Sequence, residues 1–154
     1  MKEKVLLPLD GSAVGEAAIP VVVDVISRLN AANLEITLLQ VISAFAYSAL
    51  SESVNTEFPV DGDELNAFKE KSNSYLEKVA TRIRNRGLTV NTMVTVGHAA
   101  DEILRVSQDL GVRIIAMSTH GRSGIGRFAL GSVTDKVLQH SPVPVLVVRA
   151  KVSK

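Results

Sequence analysis

The strongest constraint on the fold of this chain is an alternation. Short runs of continuous apolar residues, too brief for helices, are each followed by a stretch whose apolar residues recur at helical spacing. Val5-Leu6-Leu7-Pro8-Leu9 is the first run, and continuous apolarity marks a strand covered on both faces. Asp10-Gly11-Ser12 follows as a turn, with Ser12 placed to cap the next helix. Val14, Ala17, Ala18, Val21, Val22, Val25, Ile26 and Leu29 then share one helical face. Pro20 lies inside that stretch, and its missing N–H predicts a kink there. Leu34 to Ser43 reads as the second strand.

Residues 44–61 show no period and read as a long loop carrying Phe45, Tyr47 and Phe58, the kind that serves as a lid or binding loop. Leu65, Phe68, Tyr75, Leu76, Val79 and Ile83 predict a long helix that ends at Gly87. Leu88, Val90, Thr92, Val94 and Val96 alternate strictly, as an edge or half-covered strand does. A third helix runs from Ala99 to Leu110 and stops at Gly111, and Arg113 to Ser118 forms the fourth strand. Thr119 to Leu130 is rich in Gly and Arg. Gly131-Ser132 then opens a short helix through Leu138, and Val143 to Arg149 is the last strand. Five strands alternating with four helices imply an α/β fold, a mostly parallel sheet with helices on both faces. The 154 residues suit one domain over 1–154.

Composition removes several function classes. Lys plus Arg number 17 and Asp plus Glu 16, so the net charge of +1 gives no footprint for nucleic acid or an anionic membrane. Without cysteine the chain forms no disulfide and no thiolate metal site. No apolar run approaches the roughly 18–20 residues that span a bilayer. The run after Met1-Lys2-Glu3-Lys4 is too short for a signal-peptide core, so a cytoplasmic location is expected.

In open parallel sheets, ligands bind beyond the carboxyl ends of the strands where strand order reverses. The first strand delivers Asp10 there; the fourth delivers Ser118-Thr119-His120-Gly121 and, nine residues on, Gly131-Ser132 at a helix start. Glycines let main-chain N–H groups approach phosphate oxygens, and a helix N-terminus adds unpaired donors. Arg122 and Arg127 supply positive charge in the intervening loop. Rival motifs fail. Gly126 with Gly131 and Ser132 half-matches a Walker A loop but lacks its lysine, and Asp10 to Gly15 is not a dinucleotide fingerprint. His98 and His140 read as solvent-facing or local caps, His120 as a loop-packing residue, and Ser132 has no partner base that would make it a nucleophile.

Met117-Ser118-Thr119-His120-Gly121-Arg122-Ser123-Gly124, followed by Leu130-Gly131-Ser132-Val133-Thr134, resembles the ATP-binding loop of the universal stress protein family. That loop reads Gly-x-x-Gly, nine residues, Gly, then Ser or Thr. Leu7 to Ser12 resembles the family's opening strand and turn, Leu38 to Val41 its second strand, Gly97 with Ile103 the third strand's exit and helix, and Pro142 to Val148 its closing strand. The resemblance implies a doubly wound, open, five-stranded parallel sheet of order 3-2-1-4-5. It also implies ATP, preferred over GTP, with Mg²⁺ or Mn²⁺ carried on the phosphates and no protein-held metal. Asp10 and the Val41 backbone would take the nucleoside, and the backbone from Pro8, Leu9 and Asp10 to Ser12 the wall. Met117, Ser118, His120, Gly121 and Arg122 would form the loop side, and Gly131, Ser132, Val133 and Thr134 would receive phosphates along with Gly121. Ser118 stands where the family has its first loop glycine; a Cβ near the ribose predicts reduced affinity.

Pro144 lacks a ladder donor and belongs on an edge strand, yet Val143 to Val148 would make that edge hydrophobic. Pairing with a second copy would cover it, so a homodimer through this strand is expected, as the resemblance also implies. Three functions follow: an ATP-binding regulatory protein, a slow ATP hydrolase, or a dimeric interaction module without nucleotide.

Overall fold

A computed structural model describes residues 2–28, 33–43, 62–119 and 130–150. Five strands, β1 (Glu3–Pro8), β2 (Leu34–Ser43), β3 (Thr89–Gly97), β4 (Ile114–Thr119) and β5 (Val145–Arg149), form one sheet of order β3-β2-β1-β4-β5. Every neighbouring pair is parallel. The five helices among the described residues are α1 (Ala13–Glu16), α2 (Ala18–Arg28), α3 (Gly62–Arg84), α4 (Ala99–Asp109) and α5 (Ser132–His140). The loop expected over 44–61 lies outside the described residues, as does most of the Gly- and Arg-rich segment.

Strand alternation sends successive side chains to opposite faces, and each face has its own core. Val5, Leu7, Ile36, Leu38 and Val90 meet Ala18, Val22 and Val23 of α2 and Leu76, Val79 and Ile83 of α3. Leu6, Leu39, Ile115 and Met117 meet Ala100, Ile103 and Val106 of α4 and Val137 of α5. Leu6, Leu7, Leu38, Leu39 and Ile115 are wholly buried, which is why the central strands carry no polar alternation. β3 and β5 are the edges; Val145 to Val148 are only half-buried. No helix among the described residues is long and apolar enough to cross a membrane.

The expected four helices become five because the stretch after β1 is not one kinked helix. It breaks at Ala17, three residues ahead of Pro20, which sits in the first turn of α2. A proline ring crowds the carbonyl four residues back and offers it no N–H, so a helix running through Glu16 cannot continue its ladder. β5 also starts later than expected. Ser141 Oγ donates to the Val143 carbonyl at 2.7 Å, bending the chain before Pro144, and the Pro144 carbonyl accepts from Ile115 N–H at 3.0 Å.

Candidate functional site

β1 and β2 stay in register up to Pro8–Leu39, whereas β1 and β4 are registered at Val5–Ile114 and Leu6–Ile115 and then part. At this seam the chain changes from helices on one face to helices on the other. A cleft of about 290 Å³ opens there at the carboxyl ends of the strands, where sheets of this kind hold ligands.

β1 brings Pro8, Leu9 and Asp10 to the cleft, β2 brings Val41, and β4 brings Met117 and Ser118. Gly131, Ser132, Val133 and Thr134 line it from the start of α5. His120, Gly121, Arg122 and Arg127 lie outside the described residues. The cleft also takes in Val14, Gly15, Leu39, Ala99, Ile103 and Leu130, none of which was expected as a site residue. Leu39, Val41, Ala99 and Ile103 supply apolar surface, while Asp10 and the α5 N-terminus supply the polar groups.

Asp10 is held by local bonds. Its Oδ1 accepts from the Ser12 N–H at 2.9 Å and from the Ser12 hydroxyl at 2.6 Å, and Ser12 Oγ accepts in turn from Gly15 N–H at 3.0 Å. Ser12 caps α1, as expected. The carboxylate lies so close to α1 that a Cβ on Gly15 would stand 2.5 Å from Asp10 Oδ1. Glycine inside a helix costs about 1 kcal/mol relative to alanine, and a lone glycine in a helical pattern was the available signal for this approach.

The α5 N-terminus is built for acceptors. Gly131 occupies the N-cap with φ 87° and ψ 141° and offers no side-chain cap. The N–H groups of Ser132, Val133 and Thr134 therefore lack an intrahelical partner. A Cβ on Gly131 would meet no atom of the described residues within 4 Å. Thr134 is buried and Ser132 exposed.

Ser118 lines the cleft, but its hydroxyl is turned to the α1–α2 break, donating to the Gly15 carbonyl and accepting from Ala18 N–H, each at 2.9 Å. α1 is tied outward as well. Glu16 accepts from the Tyr75 hydroxyl at 3.0 Å and pairs with Arg82 at 2.7 Å, both on α3. Burial first, and then the Glu16 carboxylate, push the Tyr75 phenol above its ordinary pKa. Beside the cleft mouth, Lys136 of α5 bonds Asp101 of α4 at 2.7 Å and holds that carboxyl below its ordinary pKa. His98 stands at the α4 N-cap without a side-chain capping bond, and His140 donates from Nδ1 to the Lys136 carbonyl at 2.9 Å. No group of three or more His, Asp or Glu side chains among the described residues could hold a metal ion.

Residues 1–149 match the sequence model of the universal stress protein family. The chain belongs to the universal stress protein family. Universal stress protein MJ0577 of Methanocaldococcus jannaschii is 32% identical over 163 residues, covering 98% of this chain and 97% of that protein. Its solved structure superposes with a TM-score of 0.78 over 99% of both chains. Two more distant universal stress protein structures carry ligands. One from Arabidopsis thaliana was solved with AMP bound (15% identity, TM-score 0.66, 97% of this chain and 92% of that one). Another was solved in complex with cAMP (19% identity, TM-score 0.62, 96% and 97%). At those identities the likeness is one of fold. The family that the residues resemble, and the sheet order that the resemblance implies, are both found.

Proposed function

We propose that this universal stress protein binds an adenine nucleotide, ATP in preference to GTP, in the cleft between β1 and β4. The observation that carries this reading is the meeting of an uncapped helix N-terminus with a fixed carboxylate across an apolar-walled cleft. The N–H groups of Ser132, Val133 and Thr134 suit phosphate oxygens, which are strong acceptors favoured at the positive end of a helix. Asp10 accepts hydrogen bonds and so suits the hydroxyls of a ribose. Leu39, Val41 and Ile103 suit the face of a purine. AMP and cAMP in two structures of the same fold fit the same ligand class.

A divalent cation, Mg²⁺ or Mn²⁺, would be carried on the phosphates, with charge neutralisation as its contribution. Asp10 Oδ1 is held by Ser12 while Oδ2 is assigned to the ribose, and we infer binding with a regulatory outcome rather than rapid turnover. Calorimetric titration of the full chain with ATP and with GTP tests the reading, and release of inorganic phosphate separates binding from hydrolysis. Equal affinity for both nucleotides, or none for either, overturns it. Among the described residues, β5 presents an edge of half-buried valines, and we infer a two-fold homodimer through this strand.

A further inference from the structure

The helical stretch after β1 breaks at Ala17, and the break leaves two main-chain groups facing β4. In a continuous helix, Ala18 N–H would bond the Val14 carbonyl, and the Gly15 carbonyl would accept from Ile19 N–H. Instead, Ala17 N–H takes the Val14 carbonyl at 3.1 Å. Ser118 Oγ, about a hundred positions along the chain, accepts from Ala18 N–H and donates to the Gly15 carbonyl, each at 2.9 Å. A hydroxyl has one donor and two acceptor lone pairs, so one serine can serve both groups at once.

Gly15 is also the residue against which Asp10 closes. Its N–H bonds Ser12 Oγ at 3.0 Å, and Ser12 Oγ donates to Asp10 Oδ1 at 2.6 Å. Contacts thus run from Ser118 through Gly15 and Ser12 to Asp10. They tie the end of β4 to the end of β1 beyond the point where the ladder between these strands has stopped. Ala18 is wholly buried, so water does not readily replace a lost partner there.

We propose that Ser118 is a positioning residue of the cleft: its hydroxyl clamps the α1–α2 break to β4 and fixes the Asp10–Gly15 wall. The role rests on the nucleotide-binding reading for its consequence, while the clamp itself is measurable without ligand. Ser118→Ala and Ser118→Gly remove the hydroxyl, and Ser118→Thr retains one.

Amide hydrogen exchange by NMR on the full-length chain reads the clamp at Ala18 and Gly15, with Leu7 of β1 reporting global folding. Titration with ATP reads the consequence. Ser118→Ala and Ser118→Gly speed exchange at Ala18 and Gly15 at least about tenfold while Leu7 stays protected, and Ser118→Ala, which keeps the Cβ, weakens ATP binding about tenfold. Ser118→Thr restores both. Unchanged Ala18 exchange in a folded Ser118→Ala variant overturns the clamp, as does a folded Ser118→Thr variant that fails to restore protection. Faster exchange with wild-type ATP affinity in Ser118→Ala overturns the positioning role. If the wild-type chain binds no ATP, the nucleotide reading falls, and exchange at Ala18 alone then upholds or overturns the clamp.

Discussion

Replacing Gly15 by alanine separates the stability of the fold from the integrity of the cleft. Gly15 sits inside α1, where alanine is the better helix former by about 1 kcal/mol. On propensity alone the variant would gain stability. The new Cβ, however, would lie 2.5 Å from Asp10 Oδ1 and 3.4 Å from both Asp10 Cγ and Ser12 Oγ. The obstacle is the end of a short side chain, so the carboxylate moves, and its bonds to Ser12 N–H and Oγ at 2.9 and 2.6 Å are lost. Asp10 is exposed and water takes over part of those bonds, so each is worth about 1 kcal/mol here. The net loss of stability is then about 1 kcal/mol, or roughly 2–4 °C in melting temperature for a chain of this size. Nucleotide binding falls further. A carboxylate swung out of place forfeits a charge-assisted hydrogen bond to a ribose hydroxyl, about 1.5–3 kcal/mol, or roughly ten- to a hundredfold in affinity. Thermal unfolding and calorimetric titration with ATP measure the two effects on the same samples. A Gly15→Ala variant that melts higher than wild type and binds ATP equally well refutes this account of Asp10.

Gly131→Ala probes the phosphate end. With φ at 87°, any L side chain is strained by about 1–2 kcal/mol, so this change lowers the melting temperature even though the Cβ would meet no neighbour among the described residues. ATP affinity, titrated well below the melting temperature, drops at least about tenfold; unchanged affinity means the phosphates lie elsewhere. Val145→Lys and Val147→Lys set like charges across the inferred two-fold axis, and sedimentation at micromolar concentration should show at least one of them monomeric; Val145 packs against the core, so Val147→Lys is the variant that melts close to wild type. A wild-type monomer, or two variants that both stay dimeric, refutes that interface. For Tyr75 the phenol pKa is raised, so above its ordinary 10.0 the folded chain binds more protons than the unfolded one. Its contribution is complete below pH 10.0 and is lost as pH rises toward the folded value. Urea unfolding across pH 9–11, roughly the window around the unperturbed tyrosine value, should therefore give a flatter alkaline decline for Tyr75→Phe than for wild type. Parallel declines count against burial beside Glu16.

The sequence by itself determined the elements and their order, because burial leaves a local trace. Leu6, Leu7, Leu38, Leu39 and Ile115 belong to strands covered on both faces, and such strands must read as apolar runs. The loop pattern around Gly131 and Ser132 likewise announced a helix start able to receive an anion, since glycine and an uncapped N-terminus act within a few residues. Only the tertiary structure decided how these pieces meet. Pro20 signalled trouble in the first helix, but the break fell at Ala17, where a hydroxyl from β4 could take over the broken bonds. Ser118 read from sequence only as an added Cβ, and the fold gives its Oγ bonds to groups about a hundred residues away. Leu39 and Ile103 read from sequence as positions of a strand and a helix, not as a wall of the cleft, and nothing in the sequence tied Gly15 to Asp10. Periodicity records which side of an element is buried, whereas a hydrogen bond across a seam between strands depends on where two distant segments come to rest, and no local pattern encodes that position.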